Sequence, residues 1–223
     1  MKISSGVYFV DALLDGGYED DVITTIYGPP GAGKTNFCLL AMANLSEKKI
    51  LYVDTEGSFS LARFRQICPN YEEVLNRTIF LTPTTYAEQK DAFEFLKKTV
   101  DDKFGLIIVD SIASLYRLEL GVSNDIQNVN RELSLHMAVL TEIARKKKIP
   151  VILTNQVYSD FEDRDKIKTV GGDVTKYWSR VLLEIQKIRG DLRKITITKH
   201  RSIKEGNFCV FRIVQTGLEE VKG

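Results

Sequence analysis

The sequence predicts one α/β domain, with a mostly parallel central sheet, helices on both faces and an antiparallel meander of strands at its C-terminal flank. Three observations lead there. Across residues 23–154, short continuous apolar runs alternate with longer amphipathic stretches, the pattern of buried parallel strands joined by helices. The glycine-rich segment Gly28-Pro29-Pro30-Gly31-Ala32-Gly33-Lys34-Thr35 stands between a strand and a helix. Beyond residue 180 the helical period disappears, and closely spaced strands follow one another across short turns.

Each element has its own signal. Residues 23–27 are a β-rich run that stops at the glycine segment, and residues 36–45 have helical character. KILYVD at 49–54 and the run at 78–81 are the second and third strands. Thr85 is placed to cap a helix reaching about Val100, with Glu88 three residues on completing a capping box. GLIIVD at 105–110 is a fourth strand, apolar throughout as a strand covered on both faces must be. Residues 123–147 contain a long helix, and its closing run Arg145-Lys146-Lys147-Lys148 complements the helix dipole without any ligand. PVILT at 150–154 is the fifth strand. The meander comprises 181–188, 194–199 and 208–214, turning at Gly190-Asp191 and Glu205-Gly206-Asn207. No repeat or Pro/Ser-rich linker divides the chain, so residues 1–223 are expected to form a single domain.

Composition narrows the class. The chain is 43% hydrophobic and 27% charged, with a net charge of +1. No apolar stretch approaches the ~18 residues of a membrane span, and no secretory leader is visible. A cytoplasmic protein with no membrane partner is expected. Cys38, Cys68 and Cys209 are far apart and form no metal-ligand spacing with His136 or His200, so they read as reduced, mostly buried thiols. The net charge does not itself announce nucleic acid. Only a local basic surface would.

The chemistry lies in residues 28–35, which satisfy GxxxxGK[ST] directly after a strand. Glycines let backbone N–H groups converge on phosphate oxygens, and the helix N-terminus adds its positive dipole end. Lys34 then reaches the outer phosphates of a nucleoside triphosphate, and Thr35 places its hydroxyl on Mg²⁺. Asp110 ends the fourth strand and is the second Mg²⁺ contact, because the C-terminal edge of a parallel strand lies beside the phosphates. Its neighbour Ser111 reads as a local hydrogen-bonder. Glu56, in VDTEG, comes to the same edge and either polarises an attacking water or serves a structural role.

Several segments together resemble the RecA-type recombinase core, most closely its short archaeal RadB branch. They are Ile3-Ser4-Ser5-Gly6 through Gly17, YVDTEGSF (52–59), LIIVDSIASLYR (106–117), LTNQV (153–157) and GGDVTKYWSRVLLEIQK (171–187). The likeness spans essentially the whole chain and implies a RecA-like P-loop NTPase core that binds ATP and Mg²⁺. It implies that Glu56 is the catalytic glutamate, that Arg63 stacks on adenine, and that Gln156 senses the γ-phosphate and relays to DNA. Residues 117–128 fall at one DNA-binding loop and 158–170 at a second.

Departures from that family accompany the likeness. The core motifs start within a few residues of Met1, so the helical DNA-binding domain that precedes the core in full recombinases is expected to be missing. Residues 159–166 mix four acidic with two basic residues, a poor phosphate surface. Thr198-Lys199-His200-Arg201-Ser202 replaces an acidic ATP cap, which makes Lys199 and Arg201 candidates for contacts with a neighbour's ATP. Arg117, Lys187, Arg189, Arg193, Lys194 and Lys204 are candidate DNA contacts, against the plainer reading of solvated edge-strand charges. Tyr177, Trp178 and His136 read as packing residues.

The function implied is a slow DNA-repair ATPase that binds DNA and assists the main RadA-type recombinase, with a Holliday-junction nuclease as a further partner. A homo-oligomer, with a dimer favoured, is expected. The alternatives are a non-catalytic ATP-dependent scaffold and a small-molecule phosphotransferase.

Overall fold

A computed structural model of the chain describes residues 1–159, 167–169 and 172–222. In chain order the strands are β1 (Lys2–Ile3), β2 (Tyr18–Glu19), β3 (Ile23–Gly28), β4 (Lys49–Asp54), β5 (Thr78–Leu81), β6 (Phe104–Asp110), β7 (Val151–Ser159), β8 (Ile167–Thr169), β9 (Val181–Lys187), β10 (Arg193–Lys199), β11 (Phe208–Val214) and β12 (Gly217–Glu220). The helices are α1 (Tyr8–Leu13), α2 (Lys34–Asn44), α3 (Leu61–Ile67), α4 (Tyr71–Asn76), α5 (Tyr86–Thr99), α6 (Ser114–Val122), α7 (Ile126–Lys147) and α8 (Gly172–Trp178).

The main sheet runs β12-β11-β10-β9-β3-β7-β6-β4-β5, with β8 paired to β7. From β5 to β9 every neighbour along this path is parallel. From β9 to β12 every pairing is antiparallel. β9 is therefore the seam: it opens the expected meander but joins the parallel half through β3. β1 and β2 form a small separate sheet.

Alternation along the strands builds two cores. Ile50, Tyr52, Leu106 and Ile108 pack on one face with Phe9, Phe37 and Phe211. Leu51, Val53, Ile107 and Val109 pack on the other with Phe93, Leu133 and Leu140. Because both faces are covered, these strands carry no polar alternation, which is why they read as solid apolar runs. The α5 capping box forms as expected, with Thr85 accepting from Glu88 N and Glu88 reaching back.

One expected loop is largely helix. Residues 117–128 fall on α6 and the start of α7, leaving only 123–125 between them. α6 buries Leu115 and Tyr116 but exposes Leu118 and Val122, so its apolar residues mark no single face in the sequence. The second expected loop, 158–170, lies mostly outside the described residues.

Candidate nucleotide-binding site

Parallel strands bring their C-terminal ends to one edge, and register sets who meets whom there. Gly28 pairs with Gln156, and Asp54 with Asp110. The P-loop leaves β3 at Gly28 and enters α2 at Lys34. Glycine is required at both ends of that passage. A Cβ on Gly28 would lie 2.3 Å from the Ile185 carbonyl oxygen in β9, and one on Gly33 would lie 2.8 Å from Ile213 Cδ1. Gly33 caps α2 at φ 102° with no side-chain hydrogen bond. The first amides of α2 thus receive no side-chain oxygen, and an anion suits them.

Lys34 is almost fully buried, and its Nζ donates to the carbonyls of Gly28 (2.9 Å) and Pro29 (3.1 Å). Burial pushes its pKa down, while the charges of Glu56 and Asp110 pull it up. Asp110 collects hydroxyls. Its Oδ2 accepts from Thr35 Oγ1 (2.7 Å), Ser58 Oγ (2.9 Å) and Tyr52 OH (3.1 Å), and its Oδ1 accepts from Thr154 Oγ1. Burial, then the Asp110 charge, push the Tyr52 phenol well above its ordinary range. One buried carboxylate bonded to the P-loop threonine is the donor set Mg²⁺ prefers, hard oxygens with room for water and phosphate. Together with the uncapped helix start, this arrangement fits a Mg²⁺–nucleotide.

Glu56 stands at the same edge, more exposed. Its Oε1 accepts from Ser111 Oγ at 2.6 Å and from Gln156 Nε2 at 2.9 Å. Asp54 shapes the turn that carries it, its carboxylate accepting from the amides of Glu56 (3.3 Å), Ser58 (3.0 Å) and Phe59 (3.0 Å). Thr55 Oγ1 both donates to Ser111 O and accepts from Ser111 N, locking the ends of β4 and β6 together. The fold therefore gathers Lys34, Thr35, Glu56, Asp110 and Gln156. Tyr52, Ser58 and Thr154 were not foreseen. Only their positions, two residues before Asp54, two after Glu56 and first in TNQ, mark them in sequence.

The other named residues are more dispersed. Arg63 ties α3 to the start of α2 and to the β11–β12 turn, donating to Asn36 Oδ1 (2.8 Å), Gln66 Oε1 (2.9 Å), Gln215 O (2.8 Å) and Gly217 O (3.1 Å). Lys199 Nζ donates to Lys176 O (2.7 Å) and Ser179 O (2.8 Å), closing the end of α8. Arg201 pairs with Glu19 (3.0 Å) and Asp21 (3.2 Å). Both cations are engaged within the chain, and contact with a neighbour's ATP requires them to leave these partners. Arg117 lines a cleft of about 330 Å³ with Ser111, Asn155 and Gln156. Arg189 and Lys204 are exposed, Lys194 Nζ lies 4.4 Å from the Phe208 ring centre, and Arg193 donates to Asp191 O. Trp178 packs on the core and His136 stacks on Phe93, with ring centres 4.2 Å apart. Tyr177, expected to pack, is 75% exposed, because the short helix α8 has only one face against the core.

Comparison with known proteins bears on the fold and the family. A family model described as Rad51 matches residues 1–221. The DNA repair and recombination protein RadB of Methanococcus maripaludis (strain C7) is 43% identical over 214 residues, covering 94% of this chain and 97% of that protein. RadB of Thermococcus kodakarensis is 40% identical over 226 residues, covering 99% and 100% respectively. A solved structure described as that of the RadB recombinase matches with a TM-score of 0.84 at 38% identity, over 99% of this chain and 100% of that one. The chain belongs to the Rad51 family, in its archaeal RadB branch of DNA repair and recombination proteins.

Proposed function

We propose that this protein binds ATP with Mg²⁺, hydrolyses it slowly, and binds DNA as an accessory to the main RadA-type recombinase. The observation that carries the reading is the convergence at one sheet edge of the P-loop Lys34 and Thr35, the Thr35–Asp110 bond and the Glu56–Gln156 bond. Lys34 and the α2 amides hold the phosphates, and Arg63 flanks the site where adenine would stack. Thr35 and Asp110 hold the metal, which supplies charge neutralisation on the phosphates. Glu56 orients water and accepts its proton. Gln156 keeps Glu56 in place and ties β7 to events at the phosphates. DNA lies along Arg117 and the C-terminal cations Arg189, Arg193, Lys194 and Lys204. A homodimer, a recombinase and a junction nuclease are the protein partners this role calls for.

The test pairs two variants. Lys34→Ala should lose nucleotide binding in calorimetry, since a charge-assisted phosphate contact worth about 1.5–3 kcal/mol is removed. Glu56→Gln should keep nucleotide while hydrolysis falls by ~10²-fold or more. Unchanged ATP affinity in Lys34→Ala rejects the reading altogether. One observation favours a second reading, an ATP-set scaffold: Glu56 Oε1 already accepts from two donors. Equal turnover of wild type and Glu56→Gln, with and without DNA, selects it.

A further inference from the structure

We infer that Lys187 is a second phosphate-binding lysine of the nucleotide site, contributed by the same chain, and not a member of the DNA-binding surface. The inference rests on the ATP-binding reading above. The path of β9 supplies the first argument. β9 runs parallel beside β3 with Tyr27 opposite Glu184, so Lys187, three residues further, overruns the end of β3 and draws level with the glycine loop.

The side chain supplies the second. A Cβ built on Gly31 would lie 3.2 Å from Lys187 Nζ and 3.9 Å from its Cε. The ammonium therefore rests directly against the loop that cradles phosphate. Gly31, at φ 67°, leaves it that place, where any larger residue would meet the amino group.

Charge supplies the third. Among the described residues Lys187 forms no ion pair, in contrast to Arg201 and Arg212. Its charge reaches the P-loop lysine, where it is one of the influences that lower the Lys34 pKa, against the pull of Glu56 and Asp110. Two ammonium groups brought to one loop repel each other. A polyphosphate offsets that repulsion by sitting between or beside them, and the site then gains a donor that one P-loop lysine cannot supply. The neighbouring cations have other company, Lys194 on the Phe208 ring and Arg193 on the Asp191 carbonyl. The basic cluster seen in sequence thus divides into two places.

Calorimetric titrations of the full chain with ATP, ADP and AMP in the presence of Mg²⁺ test this, alongside single-stranded DNA titrations on the same proteins. Lys187→Ala is expected to weaken ATP about tenfold, ADP less and AMP not at all. Lys187→Arg should retain most ATP affinity, and the control Lys98→Ala, at an exposed position of α5, should match wild type. ATP affinity within about twofold of wild type in Lys187→Ala overturns the inference. If that variant loses DNA affinity alone, Lys187 returns to the DNA surface. A Lys34→Ala protein that still binds ATP normally is a separate outcome, in which the nucleotide reading itself falls and takes the inference with it.

Discussion

Glu56 and Asp110 are both carboxylates at the same sheet edge, but they are held in opposite ways. Asp110 is buried beneath four hydroxyls, whereas Glu56 is exposed and steadied at one oxygen by Ser111 and Gln156. Under the proposed hydrolytic role, the other Glu56 oxygen is left for water while the first is fixed. Ser111→Ala should therefore lower ATP turnover several-fold with nucleotide affinity unchanged, roughly the ~1 kcal/mol of one hydrogen bond. In a Glu56→Gln background the same change should add nothing, since Ser111 acts through Glu56. Equal losses in both backgrounds would show that Ser111 acts by another route. At this scale the sequence was informative where a motif is contiguous. Residues 28–35 marked the strand–loop–helix passage by their order, and the TEG and TNQ segments marked Glu56 and Gln156, which the fold brings together. Tyr52 and Thr154 escaped because strand register brings their hydroxyls to Asp110, and Ser58 because the turn shaped by Asp54 does.

Among the elements, long ones with a clear period were legible: α5, α7 and the buried strands stand within a few residues of their expected bounds. Short ones were not. α1, α3, α4, α6 and α8 have 6 to 9 residues each, too few for an apolar stripe to repeat, and tertiary packing decides them. The packing of α7 on α5 has a measurable signature. His136 is 4% exposed, stacked on Phe93, with Nδ1 3.4 Å from Gln89 Nε2. Burial, then the Lys90 charge, lower its pKa from 6.5 to about 4. The folded state thus resists protonation that the unfolded chain accepts. Stability from this site is complete above pH 6.5 and shrinks as pH falls towards about 4, by up to about 3 kcal/mol. Urea unfolding at pH 7 and pH 4.5 should show His136→Gln losing about 2 kcal/mol less than wild type. Parallel losses in the two proteins would remove His136 as the cause.

For the whole molecule, a net charge of +1 means that DNA bound as proposed would feel the local array of cations and little else. Affinity should fall steeply with salt, and Arg189→Ala with Lys204→Ala together should flatten the log–log slope by about 2, near one counterion per lost phosphate contact. A slope left unchanged would move DNA to another face. The sheet order has a further consequence, for synthesis. Among the described residues β3 has β7 and β9 as its sheet neighbours, and these begin at Val151 and Val181. Pairing the strand that launches the P-loop thus means closing loops of well over a hundred residues, a slow event. While the chain emerges from the ribosome, β4, β5 and β6 can align among themselves, but Gly28 lacks both of its walls. On the proposed reading of the site, nucleotide can stabilise only a chain that has reached β9, and a nascent chain halted at residue 150 should not be retained by immobilised ATP.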